Sequence, residues 1–373
     1  MTIEHQAQTP LLATAPLPKQ SRAATLILIR KVWPWVFLVV MVATFTIAAK
    51  ALNGTDFLSP RSIQGILVYA TQILLIALGE TLIIIAAGID LSVGFTLGLS
   101  AVIAAEIMKT LYAAGTAPIV TVVAGMLGGV AICIIPGWIN GLLVARIKVP
   151  PFISTLGMGY AVFGVALLIS GGYPVAGQPP YLGQLGNGYL LYYWPERGIT
   201  LFNLPASATQ ADLAVIVPLV PNVVLITLIV TLICWFVLAK TQFGQHLYAI
   251  GGNFEAAVRA GIPVQRTIIQ VYIIAALLAG VAGSLWAARF TSGAANAGET
   301  TLLTAISAVV IGGASLFGGG GNIIGTVVGS LIIATIQFGL VVLNMPPFWQ
   351  FIAVGVVVIG AVIVDQFGRT LER

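Results

Sequence analysis

The strongest constraint in this sequence is a series of apolar runs, each about as long as a bilayer is thick. A run of roughly 20 apolar residues spans the hydrocarbon core as an α-helix, and such runs recur along most of the 373 residues. One of them, PNVVLITLIVTLICWFVLA, is apolar on every face, whereas a strand of an outer-membrane barrel would alternate apolar and polar residues. Charged residues make up only 7% of the chain, against roughly 25% in soluble domains. The sequence therefore predicts an all-α polytopic membrane protein.

About ten membrane spans are predicted along the chain. They are residues 32–49, 66–87, 91–108, 118–145, 152–170, 213–239, 268–288, 302–317, 323–343 and 348–365. With a cytoplasmic N-terminus, most of the 16 Lys and Arg residues fall in inside segments, as the positive-inside rule requires. We therefore expect a multi-pass protein with both termini in the cytoplasm.

This pattern also predicts the layout of the chain. A cytoplasmic N-terminal tail is expected over residues 1–31, a transmembrane domain over 32–368 and a cytoplasmic C-terminus over 369–373. Two loops are long, an external one at about 171–212 and a cytoplasmic one at about 240–267. Since the remaining connectors are short, the function is expected at the membrane.

Motifs for catalysis and for metal binding are absent from the sequence. No GxxxxGK[ST] motif occurs, so the chain is not expected to hold ATP in a P-loop. His5 and His246 are the only histidines, and neither has neighbours suited to hold a metal ion. We therefore predict no catalytic residue, no metal ligand and no nucleic-acid contact, which leaves transport as the main class of function and a membrane scaffold as a weaker one.

Carboxylates inside predicted spans are few. A charged side chain at the bilayer centre costs about 2.5–3.5 kcal/mol on insertion scales, and Glu80 falls well inside the second predicted span. Glu80 is therefore expected to face protein or a water-filled cavity, in a charged or a protonated form. A structural hydrogen bond and a place on the substrate pathway stay equally open for this residue.

The stretch AAGIDLSVGF, residues 86–95, places Asp90 among glycines between two apolar runs. Gly88 is suited to end one helix in the left-handed conformation, and Asp90 or Ser92 is suited to cap the next. This pattern predicts a tight helix break held by Asp90. Contact with a ligand is the alternative, because broken helices often line cavities.

A second stretch, VIGGASLFGG at residues 310–319, resembles the first. Alignment of Gly88 with Gly313 places Asp90 over Ser315 and Gly94 over Gly319. The small residues of this second junction include Gly312, Gly313, Gly318 and Gly319. The similarity predicts a distant internal repeat, with both junctions at the cytoplasmic side and their re-entrant character left open.

The cytoplasmic loop contains GGNFEAAVRAGIPVQR, which predicts a short capped helix. Asn253 is a good N-cap, Glu255 lies in the first turn, and Arg259 follows four residues later on the same face. Gly261 suits the stop position, and Pro263 prevents continuation. The next residues with small side chains after Phe254 are Ala256, Ala257 and Ala260. They leave a face onto which a partner could pack closely. An ordinary solvated connector helix is the alternative.

Four segments together carry a family resemblance. AAGIDLSVGF, RIKVPPFISTLGMGY, GGNFEAAVRAGI and AISAVVIGGASLFGG occur in this order. The chain resembles, over about residues 30–368, the permease subunits of bacterial ATP-driven sugar importers of the ribose/xylose/galactose type. These are related to branched-chain amino acid permeases.

The resemblance implies a set of partners and a location. In this family two permease subunits, identical or different, work in the inner membrane with a cytoplasmic ATPase, which binds ATP and Mg²⁺, and a periplasmic sugar-binding protein. The short helix at 253–260 corresponds to the coupling helix that enters a groove of the ATPase. Asn140, Gly141, Phe152 and Thr155 match a stretch near the translocation path.

The sequence departs from the family pattern in three places, one of which covers two neighbouring glycines. Gly320 and Gly321 stand where relatives often have a basic residue. Ala87 replaces a frequent glycine, and Glu80 stands where many relatives have an uncharged residue.

The leading hypothesis is therefore the membrane subunit of an importer for a monosaccharide or polyol, with ATP hydrolysis on a partner. Glu80, Asp90, Ser92, Asn140, Phe152, Thr155 and Ser315 are the candidate residues of its translocation path. Branched-chain amino acid import by the same machinery is one alternative. A stand-alone ion-coupled symporter that uses Glu80 or Asp90 is the other.

Overall fold

The computed structural model describes residues 20–195, 198–201 and 215–370. Its helices are α1 Gln20–Asn53, α2 Pro60–Ile85, α3 Val93–Ala113, α4 Pro118–Ile132, α5 Ile134–Ala145, α6 Pro151–Ser170, α7 Tyr181–Asn187, α8 Asn222–Lys240, α9 Gln242–Gly252, α10 Phe254–Arg259, α11 Val264–Phe290, α12 Glu299–Ile311, α13 Ile323–Val342 and α14 Phe348–Thr370. The strands are β1 Leu191–Trp194, β2 Gly198–Leu201 and β3 Val217–Pro218. The predicted all-α membrane fold is confirmed.

Within the described residues, eight helical segments are long and apolar enough to cross a membrane, whereas about ten were predicted. The prediction for 302–317 is wrong in extent, because α12 has only 13 residues. At 1.5 Å per residue it is about 20 Å long, shorter than the roughly 30 Å of hydrocarbon. The helix α14, which covers the predicted span 348–365, has 23 residues and is long enough to cross.

A re-entrant segment precedes α12. A Cβ atom on Gly293 would lie 2.3 Å from the carbonyl oxygen of Ala101, and one on Gly298 would lie 2.2 Å from that of Gly94. Residues 293–298 therefore run back along α3 from its middle to its first turn. The chain packs into the bundle here without forming a helix, and α12 begins only at Glu299.

The core of the bundle is built around α2 and α11. About 83% of the most apolar window of α2 is buried, against 28% for α6 and α8. Close backbone contact is possible because small residues lie at the crossings: a Cβ on Gly98 would lie 1.9 Å from the carbonyl oxygen of Ala295, and one on Gly283 would lie 2.2 Å from that of Leu97. This is the packing mode of membrane helices, where small residues let backbones approach.

Three helices end at one side of the bundle with the same backbone motif. At the end of α2, the N–H of Ala87 donates to the carbonyl of Ile84, and the N–H of Gly88 donates to that of Ile83. This is the Schellman arrangement, and its left-handed residue is Ala87 with φ 63°. The prediction that Gly88 adopts the left-handed conformation is therefore wrong by one residue.

The same motif ends α10 and α12. Gly261 has φ 78° and Gly313 has φ 88°, and each is followed by the second hydrogen bond of the motif, from Ile262 and from Ala314. By backbone conformation, Gly313 corresponds to Ala87, so the predicted alignment of Gly88 with Gly313 is shifted by one.

The described part of the predicted external loop lies at the opposite end of the bundle and contains α7, β1 and β2. With β3, which follows the loop, the strands form an antiparallel sheet of order β2-β1-β3, in which Tyr192 pairs with Thr200 on one side and with Pro218 on the other. The predicted span 213–239 therefore begins too early, because α8 starts at Asn222. Residues 196–197 and 202–214 lie outside the described residues.

Candidate functional site

A buried polar cluster joins α3, α5 and α6 at the break between α2 and α3. The side-chain oxygen Oδ1 of Asp90 accepts hydrogen bonds from the backbone N–H of Ser92 at 2.8 Å and from its hydroxyl at 2.6 Å. Asn140 Nδ2 donates to Ser92 Oγ at 3.0 Å, and Ser154 Oγ donates to Asn140 Oδ1 at 3.3 Å. All four residues are buried, so the cluster links three helices within one protomer.

A second link runs through Thr155. The backbone N–H of Leu91 donates to Thr155 Oγ1 at 3.0 Å, and that hydroxyl donates in turn to the carbonyl of Pro151 at 2.8 Å. Ser92 is the N-cap residue of α3, but no side-chain cap hydrogen bond is formed there. Asp90 therefore holds the break through Ser92 and not by capping α3 in the usual way.

Three buried polar side chains, one in α2, one in the helix break and one in α11, have hydrogen-bonding atoms without a partner among the described residues. Both carboxyl oxygens of Glu80, Oδ2 of Asp90 and the hydroxyl of Tyr272 have no hydrogen-bond partner. Tyr272 lies against the break, because a Cβ on Gly88 would be 3.1 Å from its hydroxyl oxygen.

The predicted capped helix of the cytoplasmic loop is present as α10. Asn253 Oδ1 accepts the backbone N–H of Ala256 at 2.9 Å, and Arg259 Nη2 lies 3.2 Å from Glu255 Oε2, with both side chains about 80% exposed. Ala257 is buried against Ile250 and Val264. The prediction of a free alanine face is therefore wrong for Ala257, whereas Ala256 and Ala260 are exposed.

The outer face of α10 is partly apolar. Phe254 and Val258 are about half exposed, at 53% and 52%, beside the charged pair. Both side chains line a cavity of about 930 Å³ that runs between α10, the α5–α6 loop and the start of α11. An exposed apolar patch rimmed by charge is typical of a protein interaction surface.

Backbone contacts connect the α9–α10 segment to the membrane helices. A Cβ on Gly251 would lie 1.8 Å from the carbonyl oxygen of Ile85 and 2.6 Å from the backbone nitrogen of Gly319. Gly319 N–H donates to that same Ile85 carbonyl at 2.9 Å. The end of α2, the end of α9 and the loop after α12 therefore meet at one point, which we call the three-segment contact.

A smaller cavity of about 300 Å³ opens beside this contact. Its lining includes Gly88, Lys148, Phe254 and Tyr272. Lys148 is exposed and has φ 63°. The residues of the polar cluster do not line this cavity but lie behind Gly88 and Tyr272.

A cavity at the opposite end of the bundle carries positive charge. It measures about 460 Å³, and its lining includes Arg61, Tyr69, Asn187 and Arg289 but no acidic residue. The guanidinium carbon of Arg289 lies 5.4 Å from the ring centre of Tyr69. Neither arginine forms an ion pair among the described residues.

The structure thus brings together only part of the predicted translocation-path residues. Asp90, Ser92, Asn140 and Thr155 lie in or beside the polar cluster, whereas Glu80 is buried in α2. The side chain of Phe152 is 56% exposed and is not part of the cluster. Ser315 lies in the loop after α12, where its backbone N–H donates to the carbonyl of Gly320.

The remaining junction glycines have separate packing roles. Gly94 contacts the re-entrant segment at Gly298, Gly312 contacts α13 at Gly325, and Gly318 contacts Ala87.

Residues that sequence reasoning missed include Tyr272, Gly251, Ser154 and the two arginines of the opposite cavity. Tyr272 is a polar aromatic residue inside the apolar α11, and Gly251 belongs to a GG pair before the α10 helix. Both features can be seen in the sequence, but the residues that they contact are distant in the sequence and cannot be predicted from it.

These features define a multi-pass helical membrane protein with an exposed, partly apolar helix, α10, at one end. The chain matches, over residues 62–364, the family described as branched-chain amino acid transport system / permease component. It belongs to this family of transport permeases.

Individual relatives are similar over most of their length. The ribose import permease protein of Bacillus subtilis (strain 168) is 35% identical over 339 residues, which cover 90% of this chain and 93% of that protein. The fructose import permease protein of Rhizobium meliloti is 35% identical over 335 residues, covering 89% and 85%. The xylose transport system permease protein of Haemophilus influenzae is 34% identical over 368 residues, covering 89% and 96%. No solved structure matches the chain significantly.

Proposed function

We propose that this chain is the membrane-spanning subunit of an ATP-driven importer in the bacterial inner membrane. Its substrate is a monosaccharide or polyol, delivered by a periplasmic binding protein. ATP and Mg²⁺ bind to a cytoplasmic ATPase subunit, which supplies the energy. A second permease subunit, identical or different, completes the pathway.

The observation that carries this proposal is that α10 is exposed while the preceding helix, α9, contacts the ends of the membrane helices. The outer face of α10 offers Phe254, Val258 and the Glu255–Arg259 pair to a partner. Its inner side chain, Ala257, is buried. A surface helix held this way is suited to receive force from a docked ATPase.

The three-segment contact gives this force a route into the membrane. Because Gly251 touches the backbone of both Ile85 and Gly319, a displacement of α9 and α10 acts directly on the ends of α2 and α12. The helix break at residues 86–92 begins at the same point. Rigid-body movement of packed helices is a common way to switch access between two sides.

The relatives support the sugar class of substrate. The family description names branched-chain amino acid transport, but the similar curated proteins carry the names of ribose, fructose and xylose permeases. The match to these proteins extends along nearly the whole chain. We therefore favour a sugar over an amino acid.

The positive cavity at the opposite end is suited to the binding protein. Arg61 and Arg289 lie in its lining without an acidic neighbour, and guanidinium groups pair well with carboxylates on a partner surface. In this proposal α10 and both termini face the cytoplasm, and this end of the bundle faces the periplasm.

The proposal is tested by gentle extraction of the protein from its native membrane, followed by identification and assay of what co-purifies. A stoichiometric ATPase is expected, together with uptake of D-ribose, D-fructose or D-xylose by intact cells. The Glu255→Lys variant is expected to lose both the ATPase and the uptake while its amount in the membrane is unchanged.

Glu106→Lys is the matched control. Glu106 also forms an ion pair, with Lys109 at 3.2 Å, but it lies far from α10. This variant is expected to keep the ATPase. A protein that purifies without an ATPase and still drives uptake from an ion gradient would contradict the proposal.

A further inference from the structure

The cavity of about 930 Å³ beside α10 carries positive charge that nothing balances. Its lining includes Arg146, Lys148 and Arg266, and no Asp or Glu is among the described residues that line it. All three basic residues are exposed, and none of them forms an ion pair within the part of the chain that the structure describes. Three cations therefore remain available to an anion that enters this cavity.

The cavity lies where two membrane-crossing segments end. Val144 is next to the end of the segment Pro118–Ala145, and Val264 begins the segment Val264–Phe290. The lining continues along α11 as far as Gln270, about 9 Å from Val264 at 1.5 Å per residue. The cavity thus extends from the loops at the α10 end of the bundle into the region of the membrane helices.

The part of the lining that belongs to α11 is apolar beyond the cations. Ile268 and Ile269 line the cavity and are only partly exposed. Ile273 and Leu277 follow Ile269 at intervals of four residues, so they continue the same face of the helix, and both are partly exposed as well. The exposed cations are therefore followed by an apolar track along a membrane helix.

Lys148 has a backbone conformation that favours a role for its side chain. Its φ is 63°, in the left-handed region where glycine is the usual residue. The N–H of Ile147 donates to the carbonyl of Leu142 at 3.3 Å, and the N–H of Val149 donates to that of Leu143 at 3.0 Å. Both neighbours of Lys148 are thus bonded to the end of α5. A lysine kept at a position that suits glycine is typical of a functional site.

The order of these features matches one class of ligand. Guanidinium and ammonium groups pair well with phosphate, and basic pockets between membrane helices are typical sites for the head groups of anionic lipids. A soluble anion would pair with the cations but would leave the apolar track of α11 uncovered. A phospholipid covers both parts, because its phosphate and its acyl chains are joined in one molecule.

We propose that this cavity binds an anionic phospholipid from the adjacent leaflet. Arg146, Lys148 and Arg266 pair with the phosphate of its head group, and its acyl chains lie along the Ile269–Leu277 face of α11. Phe254 and Val258 of α10 line the same cavity, so the bound lipid also contacts α10. Lipid binding does not depend on the proposed function, whereas an effect of the lipid on ATPase docking would rest on it.

The test measures lipid binding to the purified permease in detergent by native mass spectrometry. Dioleoyl phosphatidylglycerol is compared with dioleoyl phosphatidylcholine, which has the same chains and no net charge. The unmodified protein is expected to prefer the anionic lipid by about tenfold or more. Each of Arg146→Gln, Lys148→Gln and Arg266→Gln is expected to weaken its binding about fivefold, and the triple variant about 100-fold. Binding of the neutral lipid is expected to stay nearly the same.

Lys240→Gln is the matched control. Lys240 is an exposed basic residue at the end of α8, immediately before α9, and it does not line the cavity. This variant is expected to bind phosphatidylglycerol as the unmodified protein does. The melting temperature of every variant is compared in the same detergent, and the three single variants decide if the triple variant does not fold.

Four results would overturn the proposal. The first is equal affinity of the unmodified protein for the two lipids. The second is an equal loss of phosphatidylglycerol binding in Lys240→Gln and in the single variants of the cavity, which would indicate a general effect of surface charge. The third is displacement of the lipid by an equal concentration of inorganic phosphate, which would indicate a site for a soluble anion. The fourth is a triple variant that keeps its lipid binding but no longer co-purifies with an ATPase, which would assign the three cations to a protein partner.

Discussion

The polar cluster around Asp90 and the helix α10 use similar residues in opposite ways. In the cluster, Asp90, Ser92 and Asn140 are buried and join the helix break to α5 by hydrogen bonds. In α10, Glu255 and Arg259 are exposed and pair only along their own helix. Both lie at the same end of the bundle and are joined through the three-segment contact.

The two regions differ in whether their polar side chains are buried or exposed. Buried groups have lost water and must be paired, so the cluster fixes the position of a helix break. Exposed groups keep water, so the pair on α10 contributes little to the fold and stays available to a partner. Substitutions in the first region should change stability, and substitutions in the second should change assembly.

The largest expected effect is that of Asp90→Ala. It leaves the N–H and hydroxyl of Ser92 without their acceptor, and unsatisfied buried donors cost about 1–3 kcal/mol each. We expect a loss of about 3 kcal/mol in the free energy of unfolding and loss of uptake. Thermal unfolding in detergent measures the first.

Asp56→Ala is the control for that substitution. Asp56 is exposed and accepts only a local bond from Leu58 among the bonds described for its side chain. A similar melting temperature for the two variants would contradict the contrast between buried and exposed acids.

The three-segment contact is expected to show the next largest effect. Gly251→Ala places a methyl group against the Ile85 carbonyl, and forced overpacking costs about 1–3 kcal/mol. The neighbouring Gly252→Ala is a close control, because a Cβ there meets nothing within 4 Å. We expect Gly251→Ala to lower both melting temperature and uptake and Gly252→Ala to leave both nearly unchanged. Equal melting temperatures and equal uptake in the two variants would contradict the proposed mechanical connection between α10 and the membrane helices.

At the Schellman ends of α2 and α10, two substitutions are expected to change stability in opposite directions. Ala87 and Gly261 occupy the same left-handed position at the ends of α2 and α10, where a Cβ costs about 1 kcal/mol. Ala87→Gly should therefore raise the free energy of unfolding by about 1 kcal/mol, and Gly261→Ala should weaken the end of α10 by a similar amount. Chemical unfolding measures the first, and hydrogen exchange at Ile262 measures the second.

The smallest effect is expected from Glu255→Gln. An exposed i,i+4 ion pair is worth less than about 0.5 kcal/mol, so the melting temperature should not change measurably. The yield of co-purified ATPase should fall if α10 is the docking surface. A clear drop in melting temperature with full ATPase yield would reverse the roles assigned to the two regions.

Local signals in the sequence predicted much of this molecule. The apolar runs predicted the helical fold, and Asn253, Glu255, Arg259 and Gly261 predicted α10, because caps and i,i+4 pairs depend on neighbours in the chain. The glycine junctions were located correctly to within one residue.

Such local signals do not predict contacts between residues that are distant in the sequence. The bond from Asn140 to Ser92 and the position of Tyr272 beside Gly88 depend on how helices pack, which no local pattern encodes. The length of α12 was overestimated, because its apolar run continues past Ile311 into a loop whose glycines take left-handed angles. Ala87 was missed because alanine is rare in that conformation.

The three-segment contact has a consequence for biogenesis. Ile85 and Gly251 emerge from the ribosome well before Gly319, yet the contact needs all three. The α10 surface therefore reaches its final mount only after the loop following α12 has been synthesised and inserted. A truncated chain that ends before this loop would therefore present α10 on an incomplete support.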